Sequence, residues 1–195
     1  MGLLVDNRPF PQANSLDVIV TVADALADGP MTSDEIAQAI GKVARQGNYY
    51  PHAAASLGFV IDTATRPVEW VLTDLGEDLV AANADDRVAI VNAAVLGYEH
   101  VHDWFEDAAE LMRTMTNGGL NEETVARRMA TIASWAQFVT QSASEQAAKI
   151  ASAQKMTTAG AARVRAARPV IVPPRPCTSC FLIIPQSCTE CPDCT

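Results

Sequence analysis

Arg45-Gln46-Gly47-Asn48-Tyr49-Tyr50-Pro51-His52-Ala53-Ala54-Ala55-Ser56-Leu57-Gly58-Phe59-Val60-Ile61 is the stretch on which the reading of the fold turns. A helical segment is expected between Val43 and Leu57, and Gly58 suits the left-handed turn that ends a helix. Phe59-Val60-Ile61 and Glu69-Trp70-Val71-Leu72 then read as two short strands around a turn from Asp62 to Pro67. Pro51 lacks a backbone donor and clashes with the carbonyl four residues back. The segment is therefore expected to break, with a short turn before Tyr49 and a clean start at Pro51. Upstream, Leu16, Ile19, Val20, Ala23 and Leu26 recur at helical spacing, so residues 15–27 read as an amphipathic helix stopped by Asp28-Gly29-Pro30. Thr32 and Glu35 have the spacing of a reciprocal capping box, opening a helix with Ile36, Ala37 and Ile40 inside and Gly41 at its end. Thr73 is placed to cap another helix from Asp74. Three helices followed by a hairpin give the order of a winged helix–turn–helix. Without the hairpin, a plain three-helix bundle would fit equally well.

The chain has 195 residues, 49% of them apolar, and a formal net charge of −9. It is too apolar for an acidic disordered chain and too acidic to coat nucleic acid through bulk phosphate attraction. No apolar run is long enough to cross a membrane, and no signal peptide is read in residues 1–11, so a cytoplasmic, non-membrane protein is expected. The charge is uneven: residues 1–120 carry a net −12 and residues 121–195 a net +3. Such asymmetry points to a rear that binds nucleic acid or a partner, although tails also drift in composition.

Beyond the hairpin the chain reads as helical. Residues 84–96 are Ala-rich, as in a buried or dimerising helix. Val101, Phe105, Ala108, Leu111, Met112 and Met115 form an amphipathic stripe that ends at Thr116-Asn117-Gly118-Gly119. Asn121 caps a further helix with Val125, Met129, Ile132, Ala136 and Val139 inside. Trp135 and Phe138 extend that face or form a partner surface. These two helices make a second helix–turn–helix candidate. From Thr157 to Pro176, Gly160 and four prolines suggest an extended linker carrying Arg163, Arg165, Arg168 and Arg175. It would be either a phosphate-tracking arm or a solvated tether.

All five cysteines are terminal: Cys177 and Cys180, a seven-residue spacer, then Cys188, Cys191 and Cys194. Two C-x2-C pairs can supply four thiolates to one tetrahedral Zn2+, and the odd count weighs against disulfides. Cys177, Cys180, Cys188 and Cys191 are the expected ligands, with Cys194 either replacing Cys191 or remaining free. The site would be structural. The expected division is residues 12–82 winged helix, 83–156 helical, 157–176 basic linker and 177–195 zinc ribbon. The fold class is thus mainly α with a small β-hairpin wing.

The stretch 45–60, followed by Val71-Leu72-Thr73-Asp74-Leu75-Gly76, resembles a winged helix of bacterial restriction-endonuclease-associated proteins, whose pattern is roughly R-Q-x-x-Y-Y-x-x-A-A-x-x-L-G-L-V and then x-L-T-x-x-G. The stretch from Glu123 to Val139, with Arg127, Arg128 and Trp135, is similar to the T-x-x-R-R-x-x-T-x-x-x-W-x-x-W element of such proteins, Phe138 standing at the second Trp. The tail resembles short bacterial zinc ribbons. This resemblance implies a DNA-binding regulator or specificity subunit in a restriction or phage-defence setting.

Arg45, Gln46, Asn48 and His52 have the side chains for base-edge contacts, Tyr49 for a phosphate or for the core, and Arg66 for the wing contact. Arg127 and Arg128 are phosphate candidates. The bland alternatives are an Arg45 pair with Asp34 or Glu35, a surface His52, and a solvated arginine pair. Double-stranded DNA is one expected partner. The rival is a non-catalytic adaptor or homodimer that uses the same helices to bind protein. An enzyme is not expected: no phosphate loop, metalloprotease motif or nucleophile elbow occurs, and no acidic strand motif stands beside Lys42, Lys149 or Lys155.

Overall fold

The computed structural model describes residues 11–64 and 66–168, and the backbone of 175–176 and 183–184; for Arg45 only the backbone is described. The protein is mainly helical with a small antiparallel sheet. Helix α1 (Leu16–Leu26) is buried along nearly its whole length and is the centre of the core. Strand β1 (Met31–Thr32) leads directly into α2 (Ser33–Ala39). Here the capping box forms as expected: Glu35 N donates to Thr32 Oγ1, and Thr32 N donates to Glu35 Oε2 at 2.8 Å. Gly41, at φ +69°, turns the chain out of α2.

The 43–57 segment is two helices, α3 (Ala44–Gly47) and α4 (Tyr49–Ser56). The break falls before Tyr49, as read, but α4 starts at Tyr49 and not at Pro51. Pro51 is the third residue of α4, where no intrahelical partner is required of its nitrogen, so the ring fits without further disruption. Strands β2 (Val60–Asp62) and β3 (Glu69–Leu72) form the hairpin, in register Val60–Leu72, Ile61–Val71 and Asp62–Trp70. β1 adds to the other edge of β3, giving the order β1-β3-β2.

Thr73 caps α5 (Asp74–Ala81) by accepting from Gly76 N. Then follow α6 (Ala84–Leu96), α7 (Glu99–Asn117) and α8 (Glu122–Val139), the last capped by Asn121. Asp107 has non-helical backbone angles and interrupts α7; its carboxylate accepts from Ala109 N and Glu110 N, capping the second half. Two expectations fail here. Phe105 and Met112 are half exposed, not part of the inner stripe, which consists of Val101, Leu111 and Met115. Of the two readings of Trp135 and Phe138, the inner face is the one found: both are buried, Trp135 donates from Nε1 to the Ala13 carbonyl, and only the partner-surface alternative fails.

The expected linker is also revised. Helix α9 (Ala143–Ala167) runs through Thr157 and Gly160. A Cβ at Gly160 would collide with the Ala39 carbonyl, so glycine there permits close approach of α9 to the end of α2. Arg165 donates to Asp28 and to the Ala25 carbonyl, which makes it a contact of the body and not of a free arm. Residues 166–195 form a separate unit in which β4 (Arg175–Pro176) pairs antiparallel with β5 (Ile183–Ile184). Among the described residues no helix is long and apolar enough to cross a membrane.

Candidate nucleic-acid interface

Residues 41–72 present a short polar surface built on a tight helix crossing. At Gly47, a Cβ would lie 2.7 Å from the Ser33 carbonyl oxygen and 2.8 Å from Ala37 Cβ. Glycine therefore lets the end of α3 press on the first turn of α2. Tyr50 points into the core, and the Lys42 ammonium sits 5.5 Å from its ring centroid. Tyr49 is half buried against the core, while Gln46, Asn48 and His52 are exposed.

The hairpin is joined to α4 through Trp70. Its indole Nε1 donates to Ser33 Oγ at 2.9 Å, and its ring meets His52 edge-on at 4.9 Å. Burial holds the His52 imidazole below its ordinary pKa, against an opposing pull from Asp62. That shift disfavours the charged form of His52. At the turn end of the hairpin, Thr63 N donates to the Glu69 carbonyl and Glu69 N donates to Thr63 Oγ1, closing the base of a turn that carries exposed Arg66.

Charge is segregated within residues 12–82. The only cations there are Lys42, Arg45 and Arg66, beside α3, in α3 and in the hairpin turn. Most of the ten carboxylates fall on α1, α2, α5 and their connections; Asp62 and Glu69 are the exceptions on the hairpin.

Gln46, Asn48, Tyr49 and His52 thus lie on one continuous α3–α4 segment, and His52 adjoins the hairpin of Arg66. Arg127 and Arg128 belong to α8. Arg127 is exposed, but Arg128 is half buried, with Nε and Nη1 shut off from solvent. Burial and the neighbouring Arg127 lower the Arg128 pKa, and Tyr98 opposes them; the Tyr98 hydroxyl is itself pushed up by burial. Tyr98 also packs on His100 and Trp135, with ring centroids 5.4 and 5.6 Å away. The two arginines are thus not equivalent, and Arg127 is the one that faces solvent. Sequence reading missed β1, which is two residues long, and the joining role of Trp70. Among the described residues no group of His, Cys, Asp or Glu is arranged to hold a metal ion. The expected ligands Cys177, Cys180, Cys188 and Cys191 lie outside the described residues.

The model of a family described as a domain of unknown function matches residues 18–144. No curated protein and no solved structure matches the chain.

Proposed function

For this chain, which belongs to the DUF7226 family, we propose that residues 12–82 are a winged helix–turn–helix that contacts double-stranded DNA, within a non-catalytic regulator or specificity subunit. The observation that carries this reading is that the only cations of residues 12–82 are Lys42, Arg45 in α3 and Arg66 in the hairpin turn, close in sequence to exposed Gln46, Asn48 and His52. Arg45 and Arg66 would take phosphates or guanine edges, and Gln46 and Asn48 adenine edges. Arg127 would add one further phosphate contact. The restriction or phage-defence setting rests on the motif resemblance.

With so few cations, binding should be weak and strongly salt-dependent. Fluorescence anisotropy with a mixed-sequence duplex at about 50 mM salt should show micromolar binding. Arg45→Glu with Arg66→Glu should weaken it by at least about tenfold and flatten the salt slope. Wild-type protein that binds no duplex at low salt would overturn the reading.

A second reading has its own observation. Ile61 and Val68 on the hairpin are 52% and 49% exposed, and the surrounding unit is acidic. Both features suit a winged helix that docks protein.

We also propose that residues 177–191 bind one zinc through Cys177, Cys180, Cys188 and Cys191. The paired C-x2-C spacing supports this, as does the antiparallel pairing of β4 and β5, which flank the first cysteine pair in sequence. The metal would staple a segment too short for a core of its own. Native mass spectrometry should find one zinc per chain; a metal-free chain with oxidised thiols would remove the site.

A further inference from the structure

α7 departs from an ordinary solvated helix in two ways. Its exposed side carries large apolar side chains: Phe105 is 50% and Met112 47% exposed, seven residues apart on either side of the Asp107 break. Exposed Ala109 lies between them. The same helix carries Glu99, Asp103, Glu106, Asp107 and Glu110 against a single arginine, Arg113. That arginine is already engaged, with Nη2 2.6 Å from Glu110 and 3.9 Å from Asp107. His102 lies 3.6 Å from Glu106. The first turn of α8, which packs against α7, adds exposed Glu122 and Glu123. α7 thus carries two large exposed apolar side chains on a helix whose exposed charged side chains are mostly carboxylates.

We infer that this face of α7 docks a protein segment that is apolar at helical spacing and flanked by Lys or Arg. Charge complementarity selects that occupant. A two-fold contact with a second copy would bring the α7 carboxylates against themselves, which opposes association. An uncharged apolar partner would leave the α7 carboxylates without counter-charge. The inference is independent of the α3–α4 surface and stands whether or not that surface binds DNA.

The test uses the full chain and a labelled Leu/Lys amphipathic helical peptide, with a Leu/Glu peptide of the same spacing as counter-probe. Wild-type protein should bind the basic peptide and not the acidic one. Phe105→Ser with Met112→Ser should weaken binding by about tenfold, since anchors at an interface centre carry most of its affinity. Glu106→Gln with Glu110→Gln should weaken it by a smaller factor and reduce its salt dependence. Glu77→Gln with Asp78→Asn on α5 removes the same charge elsewhere and should leave binding unchanged. All four carboxylates and both apolar residues are exposed, so the variants should melt with the wild type, which separates lost docking from lost folding. Equal losses in the α5 variant, or full binding by Phe105→Ser with Met112→Ser, would overturn the proposal. So would a wild-type dimer in light scattering that Phe105→Ser with Met112→Ser abolishes.

Discussion

α1 and α9 are both packed into the same body but are held there by different chemistry. In α1, nine of eleven residues are buried, and apolar side chains run around nearly the whole helix, which identifies it as the central element. α9 is 25 residues long and buries six: Gln146, Ile150, Thr157, Gly160, Ala161 and Val164. Its grip is polar and close-fitting. Gln146 exchanges hydrogen bonds with Asn92 at 3.1 Å and donates to the Phe138 carbonyl at 2.7 Å. Gln154 donates to Asp24, and Thr157 to Thr21. A helix docked through hydrogen bonds, a glycine contact and only Ile150, Ala161 and Val164 as buried apolar residues gains less from apolar burial than α1 does. It is expected to open at lower free energy than the helix it covers.

The two helices meet at a buried ion pair, where the contrast can be broken. Arg87 of α6 donates to Asp24 Oδ1 at 2.5 Å, and Gln154 of α9 donates to the same oxygen at 3.1 Å. The other Asp24 oxygen and Arg87 Nε have no partner among the described residues. Burial raises the Asp24 pKa, while Arg87 pulls it back. Arg87→Met should leave a buried acid without its counter-charge and cost about 3–5 kcal/mol, read as a lower urea midpoint for the whole unit. Replacing both partners with apolar residues should recover most of that loss. A smaller change sharpens the comparison from the α9 side. Thr157→Val removes the donor to Thr21 and should cost about 1 kcal/mol. Hydrogen exchange should then quicken over residues 150–164 while the amides of α1 stay as protected as before. Equal acceleration in both helices would mean that α9 is as integral as α1.

The difference between the two helices also explains what the sequence disclosed. The Thr32–Glu35 box, the Thr73 and Asn121 caps and the Gly58 terminator are signals of a few adjacent residues, and each forms in place. The apolar run of α1 is a strong signal in itself, although it covers nearly the whole helix and not the one face that the spacing suggested. α9 has no such pattern, because its buried face mixes Ile150, Ala161 and Val164 with Gln146, Thr157 and Gly160, and Gly160 read as a helix breaker where it serves a close approach. The exposure of Phe105 and Met112 was hidden because the Asp107 break interrupts the phase of the α7 stripe. At the candidate site, the adjacency of the α3–α4 segment and the hairpin followed from chain order. Adjacent arginines look alike in sequence, so neither the half-burial of Arg128 nor its electrostatic interaction with Tyr98, thirty residues away, carried a local signal. The pairing of Asp24 with Arg87 spans 63 residues and carries no local signal.

The indole of Trp70 gives the α4–hairpin surface an optical readout of its own. It is held by Ser33 on one side and touched edge-on by His52 on the other, while Trp135 is sealed in the core against Ala13 and Tyr98. Any ligand that displaces or protonates His52 changes the quenching of Trp70, while core Trp135 and partly buried Trp104 on α7 supply a background that does not touch His52. Occupancy of that surface can therefore be followed by the intrinsic emission of the unlabelled chain.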